Sequence, residues 1–572
     1  MDDVSPFRPA ADGGPHDAHP ARAPRRAPGR APAGPGPAAR RTRGPAAVAA
    51  LGLAGALAAA CGGSGHAGGD AAGLTYASAG LVNCLDPQAS ASRLISIIDR
   101  NLFDSLVATG PDGRIQPWLA TKWEVSPDGK AYTFHLRSGV TFHDGTPLDA
   151  AAVKATMDHA VDPKTKSVYA SSLLGPYTGT KVVDASTVRI GLSKPYAPLL
   201  QSLSTPYLGI QSPKALRASC TKPVGSGPFS FVSWTQNTSI VLKRNPSYAW
   251  QQATAKHTGP AKLAQLTFRL VPEDGARYGA LTSGQADLID DVPTANVKAL
   301  KSASGLRFLQ KDIPGTVENI TFNASRPPLS DVKVRQALQR AVNVDQLVKS
   351  VFTGVYARAW SVLSPATPGY TASLRNSIPY DPAAAAKLLD EAGWTGRDSA
   401  GYRTKDGKRL SVRWPVGAQL IRPSENILAQ GVQAEAKKAG IEIQYVSEDS
   451  GAFVRDVLAG NLDLYINNWR ALNPDILRNM YASDRVPSVG GSNMFHLKDP
   501  QLDGWLNSAA ASEDAAARQK AYADAQTRIV QQGLSLPLFV PSELLGVSGK
   551  VQNLNFDASL YLQFYDVSLG KA

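Results

Sequence analysis

The stretch YTFHLRSGVTFHDGTPL, Tyr132 to Leu148, brings two histidines and an aspartate together beside a glycine turn. Tyr132, Phe134 and Leu136 alternate with Thr133, His135 and Arg137, which is the period of a strand and sends His135 to the face opposite the aromatic rings. Gly145 and Pro147 then turn the chain toward a helical pattern. A zinc site takes three or four His, Cys or carboxylate ligands at recognisable spacings. A single His143–Asp144 pair in a turn reads instead as a hydrogen-bonding element of scaffold, and no metal is expected there.

Outward from this stretch, strand-like and helical runs alternate. LTYAS, AYTFHLR, TVRIGL, KLAQLTFRLV, LSVRWPVG and IEIQYV read as strands. Asp381, Pro382 and Gly393 mark the start and end of a helix over DPAAAAKLLDEAGW. Val334, Ala337, Leu338 and Ala341 recur at helical spacing behind Ser330 or Asp331 as cap. Such alternation predicts an α/β protein with mostly parallel sheets. At 572 residues, 43% hydrophobic and 19% charged, the chain suits two or more globular lobes.

The N-terminal part differs. Residues 1–45 are rich in Pro, Ala, Gly and Arg and cannot bury enough apolar surface to order themselves. Residues 46–61 follow a basic cluster (Arg40, Arg41, Arg43) with a short apolar run ending at Cys61. That run is shorter than the roughly 20 apolar residues that cross a bilayer and has the build of a secretory signal. Small residues before a cysteine, then a Gly/Ser tether over 62–73, resemble a bacterial lipoprotein signal with Cys61 as the acylated residue. Ala58 stands where the usual leucine would be, and Leu57 is one place further back. Eight arginines and four aspartates in residues 1–60 leave +9 of the net +13 on the mature chain. Spread without basic runs, that charge is no nucleic-acid footprint. Cys84 and Cys220, the remaining cysteines of an exported chain, read as a disulfide.

Motifs for chemistry are missing. There is no Gly-x-Ser-x-Gly elbow, no His-Glu-x-x-His and no Walker loop; GSGPF at Gly225 lacks the lysine that phosphate cradling needs. The adjacent Asp290 and Asp291 read as a solvated pair. No catalytic residue and no cofactor is expected.

Residues 100–163, from RNLFDSLVATGPDGRIQPWLA through YTFHLRSGVTFHDGTP to MDHAVDP, resemble the signature region of family 5 extracytoplasmic solute-binding proteins, the peptide- and nickel-binding proteins of ABC importers. PVGSGPFSFVSW, LKRNPSYAW, FRLVPEDGARYGALTSGQADL, FNASRPPLSDVKVRQALQRAVNVDQLV, YDPAAAAKLLDEAGW and LPLFVPSELLGVSGKVQNL follow in the family's order. The resemblance implies a two-lobe, periplasmic-binding-protein-like type II fold with an extra subdomain on the first lobe. Lobe I spans 74–315, lobe II 316–534, and 535–572 return to lobe I. It also implies a receptor, not an enzyme, that closes on a peptide-like or other small polar organic solute. That solute is handed to ABC permease subunits by a monomer held at the extracytoplasmic face of the membrane through Cys61.

The resemblance further implies that LDLYINNWRALNPDILRNMY supplies the cleft, with Trp469 against the ligand. Dipeptide binders place an aspartate three residues after that tryptophan; here Leu472 stands there, with Asn473 and Asp475 nearby. Arg470, and Arg422 in LIRPSENI, bring guanidinium donors suited to a carboxylate or phosphate. His496 is the only histidine near this region, so nickel is not expected. Two other classes stay open at this point: an exported hydrolase, and a ligand-sensing or adhesion lipoprotein without a permease.

Overall fold

Seven strands of the computed structural model form one sheet in the order Leu306–Asp312, Ser542–Ser548, Leu288–Ile289, Gly73–Ser78, Gln265–Leu270, Ser239–Arg244 and Phe229–Thr235. The structure describes residues 73–570 except 91, 111, 168, 419, 420 and 488–490; the leader, the signal run, Cys61 and most of the tether lie outside the described residues. Only Gly73–Ser78 pairs in parallel here, with Gln265–Leu270 and Leu288–Ile289. The sheets are therefore mixed rather than mostly parallel. Hairpins account for the difference: Phe229–Thr235 turns within three residues into Ser239–Arg244, and a turn that short joins only antiparallel strands.

The opening stretch lies in a second, four-stranded antiparallel sheet, Ala120–Val125, Ala131–Leu136, Thr187–Leu192 and Tyr177–Asp184. Its helix, Ala150–Val161, is capped by Asp149, which accepts from Ala152 N at 3.0 Å. His143 Nε2 meets the carbonyl of Gly227 at 3.0 Å, and Asp144 accepts from Thr146 and Ser212. These bonds fasten the turn to neighbouring loops.

Asp312 ends the last strand before the chain leaves the first sheet, and Glu318–Phe322 begins another, between Leu464–Asn467 and Ser535–Phe539. The chain re-enters the first sheet at Ser542. Two short crossings, 313–317 and 540–541, thus join two α/β lobes. The second lobe adds a parallel pair, Ser411–Gly417 and Glu442–Glu448, connected by helix Pro423–Lys438. Its helices Val332–Ala341 and Pro382–Glu391 carry the caps read from sequence, Asp331 and Asp381. Their buried residues join Trp414, Val412 and Leu428 in a core separate from the larger one that Leu94, Phe103, Phe134 and Phe268 help to build.

At the crossings, Val317, Ala359 and Val540 form a small apolar cluster. Val317 N donates to Val362 O (3.1 Å) and Val540 N to Ala357 O (2.9 Å), so the segment around Ala359 braces both connections. Cys84 and Cys220 are bonded in the first lobe. No helix among the described residues is long and apolar enough to cross a membrane.

Candidate functional site

The first crossing positions the segment that follows strand Leu464–Asn467. Thr316 N donates to Trp469 O (2.8 Å), and Trp469 N donates back to Thr316 Oγ1 (2.7 Å). Gly315, at φ 123°, lies beside this exchange, and a Cβ there would stand 2.0 Å from Trp469 O. Only glycine lets the two chains approach this closely. The Trp469 indole meets the Tyr169 ring of the first lobe at 5.6 Å between centroids. Its side chain therefore bridges the lobes.

Arg470 reaches back to the first lobe. Its guanidinium pairs with Glu543, donates to the carbonyls of Ser559 (3.1 Å) and Leu560 (2.9 Å), and lies 4.9 Å from the Tyr561 ring centroid. Asn473 Nδ2 donates to Gln201 Oε1 at 2.6 Å. Asp475 accepts from Arg478 Nε (3.0 Å) and Nη2 (2.9 Å), Tyr196 OH (3.1 Å) and Tyr522 OH (3.3 Å). Arg470, Asn473 and Asp475 line one cavity together with Tyr169, Tyr196, Tyr207 and Arg485. Trp469 does not line it, although its ring packs at a tilt against a wall residue, Tyr169. The cavity gives about 50 Å³ to the centres of water-sized molecules, room for a few waters.

Arg422 is not part of that cavity. It caps helix Pro423–Lys438, binds Glu425 Oε1 at 2.9 Å and is 61% exposed. Its charge belongs to a second cluster on the two facing walls. In the first lobe Arg93 holds Asp290, Asp291 and Glu543. Asp290 is fully buried, accepting from Tyr76 OH (2.9 Å), Ser78 Oγ (2.5 Å) and Ala79 N (2.9 Å). The reading of Asp290 and Asp291 as a solvated pair is thus corrected: Arg93 and two hydroxyls let one of them be buried. Burial alone would raise Asp291, but Arg93, Arg422, Arg277 and Arg470 together bring it below its ordinary value. In the second lobe, Glu318 is pushed up to about 8, mainly by burial and then by the neighbouring Glu425, with Arg422 and Asn468 opposing.

No signal in the sequence marked Glu318, Arg93, Glu543 or the tyrosines Tyr169, Tyr196 and Tyr207. They stand in ordinary strand, helix and loop contexts and gain their neighbours only from distant parts of the chain. Among the described residues no three His, Cys, Asp or Glu side chains gather as metal ligands.

The bacterial extracellular solute-binding protein family 5 model matches residues 114–487. The chain is 29% identical over 458 residues to the glutathione-binding protein GsiB of Pectobacterium atrosepticum, covering 78% of this chain and 84% of the relative. Among solved structures it is similar to NikA of Brucella suis in complex with Fe(III)-EDTA (27% identity, TM-score 0.76), covering 87% of this chain and 100% of the other. The fold is shared also with DppA of Helicobacter pylori in complex with the peptide STSA (24% identity, TM-score 0.74), with 87% and 98% covered. The chain belongs to the bacterial extracellular solute-binding proteins, family 5. It is a substrate-binding receptor of the ABC-importer class and not an enzyme.

Proposed function

We propose that the chain captures a peptide-like or other small polar organic solute between its two lobes and presents it, as a monomer, to an ABC permease. The observation that carries this reading is a cavity walled by both lobes, with Gln201 and Tyr196 on one side and Asn473 and Arg485 on the other. Its volume admits a few waters, so a larger solute enters only when the lobes part about the crossings and is buried when they close. Relatives named for glutathione and for a bound peptide are consistent with a solute of this chemistry.

Within this reading the candidate residues divide. Trp469 couples closure to the Tyr169 wall. Asn473, whose Oδ1 accepts from Asp475 N while its Nδ2 donates to Gln201, can exchange the Gln201 bond for one to a solute. Arg470 and Asp475 are saturated by Glu543 and by Arg478, and they hold the wall in shape. Arg422 faces the neighbouring charged cluster.

Mass spectrometry of solute carried through purification identifies the cargo, and calorimetry with that compound then tests the site. Trp469→Ala is expected to weaken capture by about ten- to a hundredfold, the equivalent of roughly 1–3 kcal/mol. Unchanged affinity, with an unchanged melt, would place the closing contact elsewhere.

The extracytoplasmic position is proposed to depend on acylation of Cys61. Acyl chains supply membrane affinity at about 0.8 kcal/mol per buried CH₂, so Cys61→Ser should move the protein from the membrane pellet to the soluble fraction. Retention in the pellet after a salt wash would point to another anchor.

A further inference from the structure

The walls between the lobes are short of positive charge. Asp290, Asp291 and Glu543 on the first lobe, with Glu318 and Glu425 on the second, face Arg93, Arg277, Arg422 and Arg470. Arg93 is shared by Asp290, Asp291 and Glu543, and Arg470 also binds Glu543. Arg277 stands 3.6 Å from Asp290 and binds the exposed Asp274 as well. Arg422 is taken by Glu425.

Glu318 is left over. It is 4% exposed and has no Lys, Arg or His nitrogen within 4.0 Å among the described residues. Among the described residues its one side-chain partner is the amide of Asn468, whose Nδ2 donates to Oε2. Glu318 opens the first strand after the crossing, and its side chain lies near the N-terminus of helix Pro423–Lys438, where Arg422 and Glu425 sit. Both Arg422 and Asn468 are exposed, so a solute that reaches them is beside the carboxylate. A buried carboxylate without a counter-ion opposes folding, and an amide in its place would keep the Asn468 contact without that opposition.

We infer that Glu318 is a specificity determinant of the cleft and that the captured solute presents a protonated amine or guanidinium to its carboxylate. The inference rests on the reading that solute is held between the lobes. The ionised form is the one that binds a cation, and burial raises the carboxyl to about 8. Capture of a cation should therefore weaken as pH falls through that value. The groups that set this behaviour are Arg422 and Glu425 on the helix, and Asn468 and Tyr465 on the adjoining strand and its following turn.

The test uses the full chain and a defined pool of small solutes: dipeptides, tripeptides including glutathione, their N-acetylated forms, and polyamines. The pool is mixed with protein, unbound material is removed by gel filtration, and retained compounds are identified by mass. Wild type is expected to retain compounds with a free amine or guanidinium and to reject otherwise identical N-acetylated peptides that carry no other cation. Glu318→Gln should retain at least tenfold less of the cationic compounds, and Glu318→Asp, which restores the charge, should recover part of the preference. Retention of amine-free compounds by wild type, or the same retention profile in Glu318→Gln, would overturn the inference while leaving solute capture intact. A wild type that retains nothing from the pool would count against the capture of peptide-like solutes and the inference together.

Discussion

Reducing the bond between Cys84 and Cys220 is expected to lower the melting temperature of the protein by several degrees or more. The bond joins residues 136 positions apart. Closing a loop of that size removes chain entropy from the unfolded state worth about 4–5 kcal/mol. The local structure adds to the loss. Leu85 N donates to Cys220 O at 2.9 Å, and next to it the buried Asp86 accepts from Ser219 Oγ at 2.6 Å, Gln211 Nε2 at 3.0 Å and His159 at 2.7 Å. The bond holds the segment carrying Asp86 against the segment carrying Ser219, so its loss loosens a carboxylate that depends on both. Burial works against the Asp86 charge, and His159 and Ser219 more than offset it, holding the carboxyl below its ordinary value. Thermal melts with and without reductant, alongside a thiol count to confirm reduction, make the comparison. Equal melting temperatures with both thiols free would mean that the noncovalent contacts suffice.

The extent to which the sequence revealed this molecule varies with the range of the interactions involved. Strand runs such as LTYAS and IEIQYV carry their signal in neighbouring residues, and both are strands in the structure. Asp381 with Pro382 is likewise local, and the cap forms as the pair of residues suggests. Sheet direction is not local, because it depends on how connections are arranged in space. Alternating strands and helices pointed to parallel pairing, while several short hairpins produced antiparallel strands. The site is less local still. Trp469 stands out in the sequence, but that its ring meets Tyr169 is decided by residues 300 positions apart. Glu318 has no marker at all: its amide partner, Asn468, is 150 residues away. Arg470 was legible as a cation, but its partner Glu543 belongs to the strand after the second crossing, so its engagement in an interlobe pair emerged only on folding.

Glu318→Gln is expected to raise the stability of the solute-free protein at alkaline pH, and the gain should disappear toward pH 4. The ordinary glutamate pKa is about 4.3, whereas burial, then Glu425, raises Glu318 to about 8 in the fold. Between these values the unfolded chain has released its proton and the folded one has kept it. Stability is therefore complete below the lower value and is lost as pH rises to the upper one. Each pH unit in that window costs about 1.4 kcal/mol, on the order of 3–5 kcal/mol once pH exceeds 8. Glutamine has no proton to lose and keeps an oxygen for the Asn468 amide, so the variant escapes the loss. Melting curves for both proteins from pH 4 to 9 measure it: a separation that widens with pH supports the assignment, and parallel curves would mean that Glu318 is ionised and compensated within the fold. The same scan separates a structural carboxylate from one reserved for a ligand. A bound cation supplies the missing charge, so a guanidinium or polyamine solute, which keeps its charge at pH 9 where a peptide α-amine has lost its own, should raise the melting temperature of wild type most at alkaline pH, where the unpaired carboxylate is costliest, and should do little for the variant.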